Sequence, residues 1–285
     1  MAGSSMKDIQ RRIKSVESTK QTTKAMELVA SSKLIKAKAR IENSRPYFSI
    51  MHQTLADIAY SNTDFSSPFV MKREVKKSLY VMIAGDRGLA GGYNSNLFKK
   101  VVAEIGSKNA CVLPIGKKAL DFCKNKGLEI YTDKFFIADE ITVSNCFKIA
   151  KLIANSFLKN EFDEVYIGYT NFVSMLSQEA TVIKVLPINY NHEIAETPKG
   201  AKALIIYEPD SETVYNSIVP NYMAGMLYGS LCESLASELS ARRTAMDSAS
   251  KNATEMIEKL SLKYNRARQS AITQEISEIV AGAEN

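Results

Sequence analysis

Glycine and proline divide this 285-residue chain more sharply than any motif does. Neither occurs between Gly3 and Pro46, nor between Gly229 and Gly282. Those gaps, about 42 and about 52 residues long, predict uninterrupted helices. Nearly all the other turn formers lie between Pro46 and Gly229. The layout is therefore two long helices bracketing a compact, turn-rich middle.

The second stretch shows its period openly. Tyr228, Leu231, Leu235, Leu239, Arg242, Met246, Ala249, Ala253, Met256, Leu260, Tyr264, Ala267 and Ala271 succeed one another by threes and fours. That is the a/d seam of a coiled coil. Steps of four, four and three at 231–242 and again at 256–267 are eleven-residue insertions, expected to unwind a left-handed supercoil locally. The first stretch is poorer: Ile9, Ile13 and Val16 lead through Lys20, Thr23 and Glu27 to Ala30, Leu34, Ala37 and Ile41. So much alanine, threonine and charge makes a weak dimerisation zipper. It suits two helices of one chain, held together at one end and partly enclosed by something else.

An insert that brings the inner ends of two helices together pairs them antiparallel. The fold class read from the sequence is therefore α/β: a long antiparallel coiled coil of N- and C-terminal helices with an inserted α/β, Rossmann-like domain. The first helix falls in segment 1–62, the insert in 75–200 and the second helix in 210–285, which pairs with 1–62. Helices at 6–59 and 211–281 differ by about 17 residues, so at ~1.5 Å per residue about 25 Å of the second lacks a partner. Such an apolar tip wants a sheath. Pro220 lies within the second helix and poses the question of a kink there.

In the middle, Ser78–Ala84, Ala110–Ile115, Glu164–Thr170 and Ala180–Leu186 read as strands. Asn94–Ile105, Lys117–Lys126 and Thr142–Leu158 read as helices. This β-α alternation predicts a parallel or mixed sheet with helices on its faces.

The formal net charge is +6, and its location matters more than its size. Residues 1–45 alone carry about +7, leaving the rest of the chain near neutral. Such a stripe is a solvated face, a nucleic-acid or membrane surface, or a docking face for an acidic partner. No run approaches the ~18 consecutive apolar residues of a membrane span. The polar start, Met1 to Lys7, reads as neither a secretory signal nor a transit peptide, and Ala2 in place of glycine excludes myristoylation. Cys111, Cys123, Cys146 and Cys232 form no C-x-x-C pair, and neither His52 nor His192 joins them at ligand spacing. They read as reduced, buried thiols rather than zinc ligands or disulfides.

One motif tempts. Gly85-Asp86-Arg87-Gly88-Leu89-Ala90-Gly91-Gly92 follows a strand and precedes a helix, where a phosphate loop belongs. Its spacing matches neither G-x-G-x-x-G nor G-x-x-x-x-G-K-[ST], so it reads as a structural turn. Gly116-Lys117-Lys118 lacks the upstream glycine of a P-loop, since Cys111 stands there. No metalloprotease, hydrolase or kinase motif is present. The sequence supplies no active site, no cofactor site and no metal site.

The ends of the chain resemble the gamma subunit of F-type ATP synthases. The C-terminal block runs Ile272-Thr273-Gln274-Glu275-Ile276-Ser277-Glu278-Ile279-Val280-Ala281-Gly282-Ala283, preceded by Tyr264-Asn265-Arg266-Ala267-Arg268-Gln269. It departs from the family's pattern only at Asn285. The N-terminal blocks are Thr23-Lys24-Ala25-Met26-Glu27-Leu28-Val29-Ala30 and Ser44-Arg45-Pro46-Tyr47. Asp86-Arg87-Gly88-Leu89 with Gly91-Gly92, then Asn96-Leu97-Phe98, and Tyr207-Glu208-Pro209-Asp210 follow in the family's order.

The resemblance implies the rotor shaft of a proton-translocating ATP synthase, bacterial in type, since no cysteine-bearing regulatory insert like that of the chloroplast form is present. Its implied partners are the alpha and beta subunits of the catalytic head, the epsilon subunit and the membrane c-ring. The chain itself would be no enzyme, peripheral on the cytoplasmic side of the cell membrane, and attached to the membrane only through the c-ring. By similarity, Met26, Arg242, Arg268, Gln269 and Thr273 match positions that meet or lie near a loop of the catalytic beta subunit. Tyr207 and Glu208 match the foot on the c-ring side. Ile272, Ile276, Ile279 and Val280 would turn as a bearing in an apolar sleeve. Without the resemblance, Arg242 reads as a seam residue whose stem packs while its head reaches water. Two readings of other classes compete: a nucleic-acid-binding coiled coil using the basic helix, and a dehydrogenase-like enzyme using the glycine-rich loop. The first lacks an aromatic stacking platform, and the second lacks an acidic ribose ligand after the glycines, so the expectation is no nucleic acid and no cofactor.

Overall fold

The computed structural model describes residues 2–60, 65–132, 136–189 and 207–283; His192 lies outside them. The elements are α1 (Ala2–Tyr60), β1 (Ser78–Ile83), α2 (Tyr93–Ile105), β2 (Ala110–Ile115), α3 (Lys117–Lys126), β3 (Glu129–Ile130), α4 (Val143–Leu158), β4 (Glu164–Phe172), β5 (Gln178–Leu186) and α5 (Ser211–Ala283). A short 3₁₀ turn, Ala138–Glu140, precedes α4. The chain forms two compact units, Lys33–Ala241, and Met1–Ser32 with Arg242–Asn285. Segments of α1 and α5 therefore contribute to both.

The Lys33–Ala241 unit is built on one sheet of order β3-β2-β1-β4-β5. β1 pairs in parallel with β2 and with β4, and β2 with β3, whereas β5 runs antiparallel to β4. The sheet is thus mixed, and its central strand, SLYVMI, is buried at every position. A continuous apolar run is what a strand covered on both faces requires. Tyr80, Met82 and Ala84 face α2 and α3, alongside Leu97, Val101, Ala119 and Cys123. Leu79, Val81 and Ile83 face the other layer, made by α4 and the inner ends of the long helices, including Leu55, Ile58, Tyr215 and Val219.

Thr142 starts α4 by accepting a hydrogen bond from Asn145 N–H, a cap worth about 1 kcal/mol. Gly116, joining β2 to α3, has φ +91° and lies so near the Ala84 carbonyl that a Cβ would stand 2.1 Å from its oxygen. Only glycine fits there.

Further out in the same unit, Leu34, Ala37 and Ile41 of α1 pack with Cys232, Ala236 and Leu239 of α5. Arg40 lies within electrostatic range of Tyr228 and Cys232, and the rings of His52 and Tyr222 are 6.0 Å apart. Rising numbers on α1 meet falling numbers on α5, so the two run antiparallel here.

The other unit is a helical pair as well. Thr23 and Ser250 hydroxyls meet at 2.7 Å in a buried contact. Ile9, Ile13, Val16 and Lys20 are half-buried and Thr23 and Ala30 buried, the spacing expected of the α1 seam. The α5 seam needs two corrections, the first being that Ser250, not Ala249, is the buried residue. Met256 is 44% exposed, and Ile257 is the half-buried residue instead. Burial then falls at Met246, Ser250, Ala253, Ile257, Leu260, Tyr264, Ala267 and Ala271, which is a regular heptad. The eleven-residue insertion expected at 256–267 is not there.

The helices also run further than expected, from Ala2 rather than 6 and to Ala283 rather than 281. With Thr23 opposite Ser250, Ala2 comes level with Ala271, the last residue of α5 with any burial among those described. The part of α5 without a partner is therefore about 12 residues, about 18 Å, rather than 25.

Candidate functional site

The residues singled out in the sequence fall at separate levels. The Thr23–Ser250 register sets half-buried Met26 level with Asp247, little more than a turn from half-buried Arg242. Arg268, Gln269 and Thr273 are exposed, and Gln269 is about 27 residues and about 40 Å along the helix from Arg242. The structure does not bring the two arginines together.

The Met26 level is strongly polar. Lys24 Nζ lies 2.8 Å from Glu27, and Lys251 Nζ lies 2.8 Å from Asp247. The Lys251 hydrogen bond, helped by the charges of Lys251, Lys24 and Arg243, holds the Asp247 carboxyl below its usual range. With Arg242 and Arg243 added, cations outnumber carboxylates, and guanidinium groups suit forked bonds to a partner's carboxylates. At the second level the Thr273 hydroxyl is spent on the Gln269 carbonyl of its own helix, at 2.9 Å. Within and beyond it, Ile272, Ile276, Ile279 and Val280 are 47%, 56%, 70% and 54% exposed. Their spacing sets them along one side of the helix.

Tyr207 and Glu208 behave differently from each other. Tyr207 packs against the main core, whereas Glu208 is exposed just before α5. Asp210 then caps that helix, accepting from Thr213 N–H at 2.8 Å and from the Thr213 hydroxyl at 2.7 Å. Those bonds hold the Asp210 carboxyl below its usual range.

Gly85, at the head of the glycine-rich loop, has both main-chain groups bonded within the chain. Gly85 N–H donates to Asn94 Oδ1 at 3.0 Å, and Gly85 C=O accepts from Lys118 N–H at 3.0 Å. The Asp86 carboxylate accepts from Lys117 N–H at 2.9 Å, standing where an anion would dock at the start of α3. A cleft of about 370 Å³ is lined by Lys72, Arg73, Glu164 and Lys184, and the last three bond within the chain. Lys184 Nζ is 2.6 Å from Glu164, and Arg73 donates to the Phe157 carbonyl and Asn160 Oδ1. All four cysteines are free and buried; burial pushes Cys111 and Cys146 up to about 12 and Cys123 to about 11, so they stay protonated thiols. Among the described residues no group of three or more His, Cys, Asp or Glu is placed to hold a metal.

The sequence reading passed over a polar stretch of α5. Ser230, Ser234, Ser237, Glu238 and Ser240 are all buried. Buried polar groups need partners, and so many within three turns, flanked by leucines, was the available signal.

The long helices α1 and α5 with an inserted α/β body are the features to compare with known proteins. The family model described as ATP synthase matches residues 5–285. The ATP synthase gamma chain of Alkaliphilus metalliredigens is 45% identical over 285 residues, covering 99% of each chain. The sodium ion specific gamma chain of Acetobacterium woodii is 43% identical over 295 residues, covering 98% of each. A chain of the Euglena gracilis mitochondrial ATP synthase, solved by cryo-EM in one rotational state, shares the fold with a TM-score of 0.70 at 19% identity, covering 99% of this chain and 94% of that one. The chain belongs to the ATP synthase gamma-chain family. It is a stalk subunit and does not itself catalyse.

Proposed function

We propose that the chain turns as the central shaft of an ATP synthase, passing rotation of a membrane c-ring to the alpha and beta subunits of the catalytic head, with the epsilon subunit beside its α/β body. The observation that carries this is the end of α5: about 18 Å of helix with no partner among the described residues, presenting Ile272, Ile276, Ile279 and Val280 outward. An apolar surface of that kind calls for an enclosing sleeve. Segments 1–62 and 210–285 serve as the shaft and segment 75–200 as the inserted body. Met26 and Arg242 supply one level of contact to the catalytic subunits, and Arg268, Gln269 and Thr273 a second. Glu208 offers its carboxylate on the ring side, and Tyr207 anchors that corner to the core.

A single shaft presents a different face to each of several equivalent sites, and biases each by its differential contacts with that site's conformations. Whether protons, as the sequence suggested, or sodium ions turn the ring is a property of the ring. No described helix is long and apolar enough to cross a membrane, so attachment through the c-ring, on the cytoplasmic face of a bacterial cell membrane, completes the reading.

Replacing Arg242 and Gln269 together by Leu in a reconstituted synthase tests it. ATP turnover falls while assembly is retained, because charge-assisted bonds worth about 1.5–3 kcal/mol each can catch a partner loop, whereas apolar burial is non-directional. Deleting residues 277–285 costs much less. If the deletion is the more damaging change, the tip carries the coupling.

A further inference from the structure

The buried polar stretch of α5 meets the sheet where its parallel ladder runs out. β1 pairs with β4 only as far as Met82 opposite Gly168. β4 continues to Phe172, paired with β5 on its other side. The main-chain groups of Thr170 on the open side therefore have no strand to bond. α5 supplies the partners instead. Ser234 Oγ accepts from Thr170 N–H at 3.1 Å, and the Ser237 hydroxyl donates to Thr170 C=O at 3.1 Å. One turn on, the Ser240 hydroxyl donates to Met175 C=O at 2.7 Å. Both backbone groups of one strand residue are thus held by one helix.

Glu238 lies on the same stretch and is 4% exposed. Its carboxylate rests on Gly85, the first residue of the glycine-rich loop: a Cβ added there would stand 2.6 Å from Oε1 and 2.8 Å from Cδ. Gly85 does not have a left-handed backbone, so a larger residue there would meet only the Glu238 carboxylate, which would have to move aside. An ionised carboxylate is costly to bury without partners, and Glu238 is engaged in an interaction. The end of β1, between β2 on one side and β4 on the other, is the crevice where an open α/β sheet takes a ligand.

We propose that the Glu238 carboxylate, seated on Gly85 at the end of β1, closes this crevice and, with Ser234, Ser237 and Ser240, clasps the α/β body to α5. The glycine-rich loop is then neither a nucleotide site nor a plain turn. It is the socket of an intramolecular joint. The mechanical meaning of the joint rests on the shaft reading, under which rotation taken up by the body enters α5 between Ser234 and Ser240.

Backbone hydrogen exchange of the full-length chain tests the joint. Glu238→Ala speeds exchange in loop 85–92 and at Thr170 about tenfold or more, as expected when a local closing contact is lost, with the amides of β2 unaffected. Glu238→Gln, which keeps the shape and loses the charge, has a smaller effect in the same places. Gly85→Ala also speeds loop exchange, because its methyl group displaces the carboxylate. In the double variant Gly85→Ala/Glu238→Ala the clash is gone, so exchange is no faster than in Glu238→Ala alone. If Gly85→Ala prevents folding, the double variant folds. Equal damage from Gly85→Ala in both backgrounds, or unchanged loop exchange in Glu238→Ala, overturns the proposal. The readout needs no partner subunit, so the joint and the shaft reading can fail separately.

Discussion

The hydroxyl pair inside the helical shaft offers a sharp test of its register. Thr23 is 9% and Ser250 8% exposed, so water contributes little at either side chain. Thr23 already donates to the Lys20 carbonyl at 3.0 Å, and a hydroxyl has one proton. Ser250 therefore supplies the proton of the 2.7 Å cross-helix bond. Thr23→Val keeps the side-chain shape and removes the acceptor, while Ser250→Ala removes the donor. A neutral bond of this kind contributes about 0.5–1.5 kcal/mol net, so each single change should cost about 1 kcal/mol. The double change should also cost about 1 rather than about 2, since both remove the same bond. Local hydrogen exchange around 20–27 and 246–254 in the isolated chain is the suitable assay, because a chain of two units need not unfold in one step. Each variant, and the double, should exchange about fivefold faster, as about 1 kcal/mol implies. Additive effects, or no effect of either single change, would refute the cross-helix bond and the register built on it.

Two further outcomes are expected. Calorimetry of the purified chain with millimolar ATP or NAD should show no binding, since the loop spacing is not that of a nucleotide motif and Asn94, Lys118 and Asp86 already bond Gly85 and the start of α3; micromolar affinity would contradict that account. The Asp210 cap should make the start of α5 sensitive to acid. Its carboxyl is depressed in the folded chain, so its contribution is complete above the ordinary carboxylate pKa and disappears as pH falls through the lower folded value. Asp210→Asn should flatten that acid dependence in exchange measurements at residues 211–215.

The long helices were legible because a period near 3.6 survives even a poor seam: Lys20 and Thr23 hold their places among half-buried and buried positions. Met256 and Ile257 show where a pattern of apolar letters runs out. Both are apolar and adjacent, and only the heptad running from Ser250 through Ala253 selects Ile257. The direction of β5 was not legible, because the hairpin turn between β4 and β5 contains no glycine, proline or asparagine to mark it. β3, at two residues, is too short to carry a signal. The proposed contact residues on and just before α5 came from resemblance, since charge on an exposed helix has a bland reading. Glu238 was invisible for another reason: its partner surface lies about 150 residues away in sequence, and only the folded chain joins them.

The seam that makes a poor zipper has a use during synthesis. Thr23 and Ser250 are 227 residues apart in the chain. At about 5–20 residues per second, α1 spends roughly ten to forty-five seconds on the ribosome before its partner emerges. A helix striped with leucine would spend that interval seeking another copy of itself. One whose exposed faces carry Lys7, Arg11, Arg12 and Lys14, and whose seam holds Lys20, Thr23 and Glu27, repels its neighbours and stays single. The weakness of the pairing is what keeps the first helix unspoken for until the last one arrives.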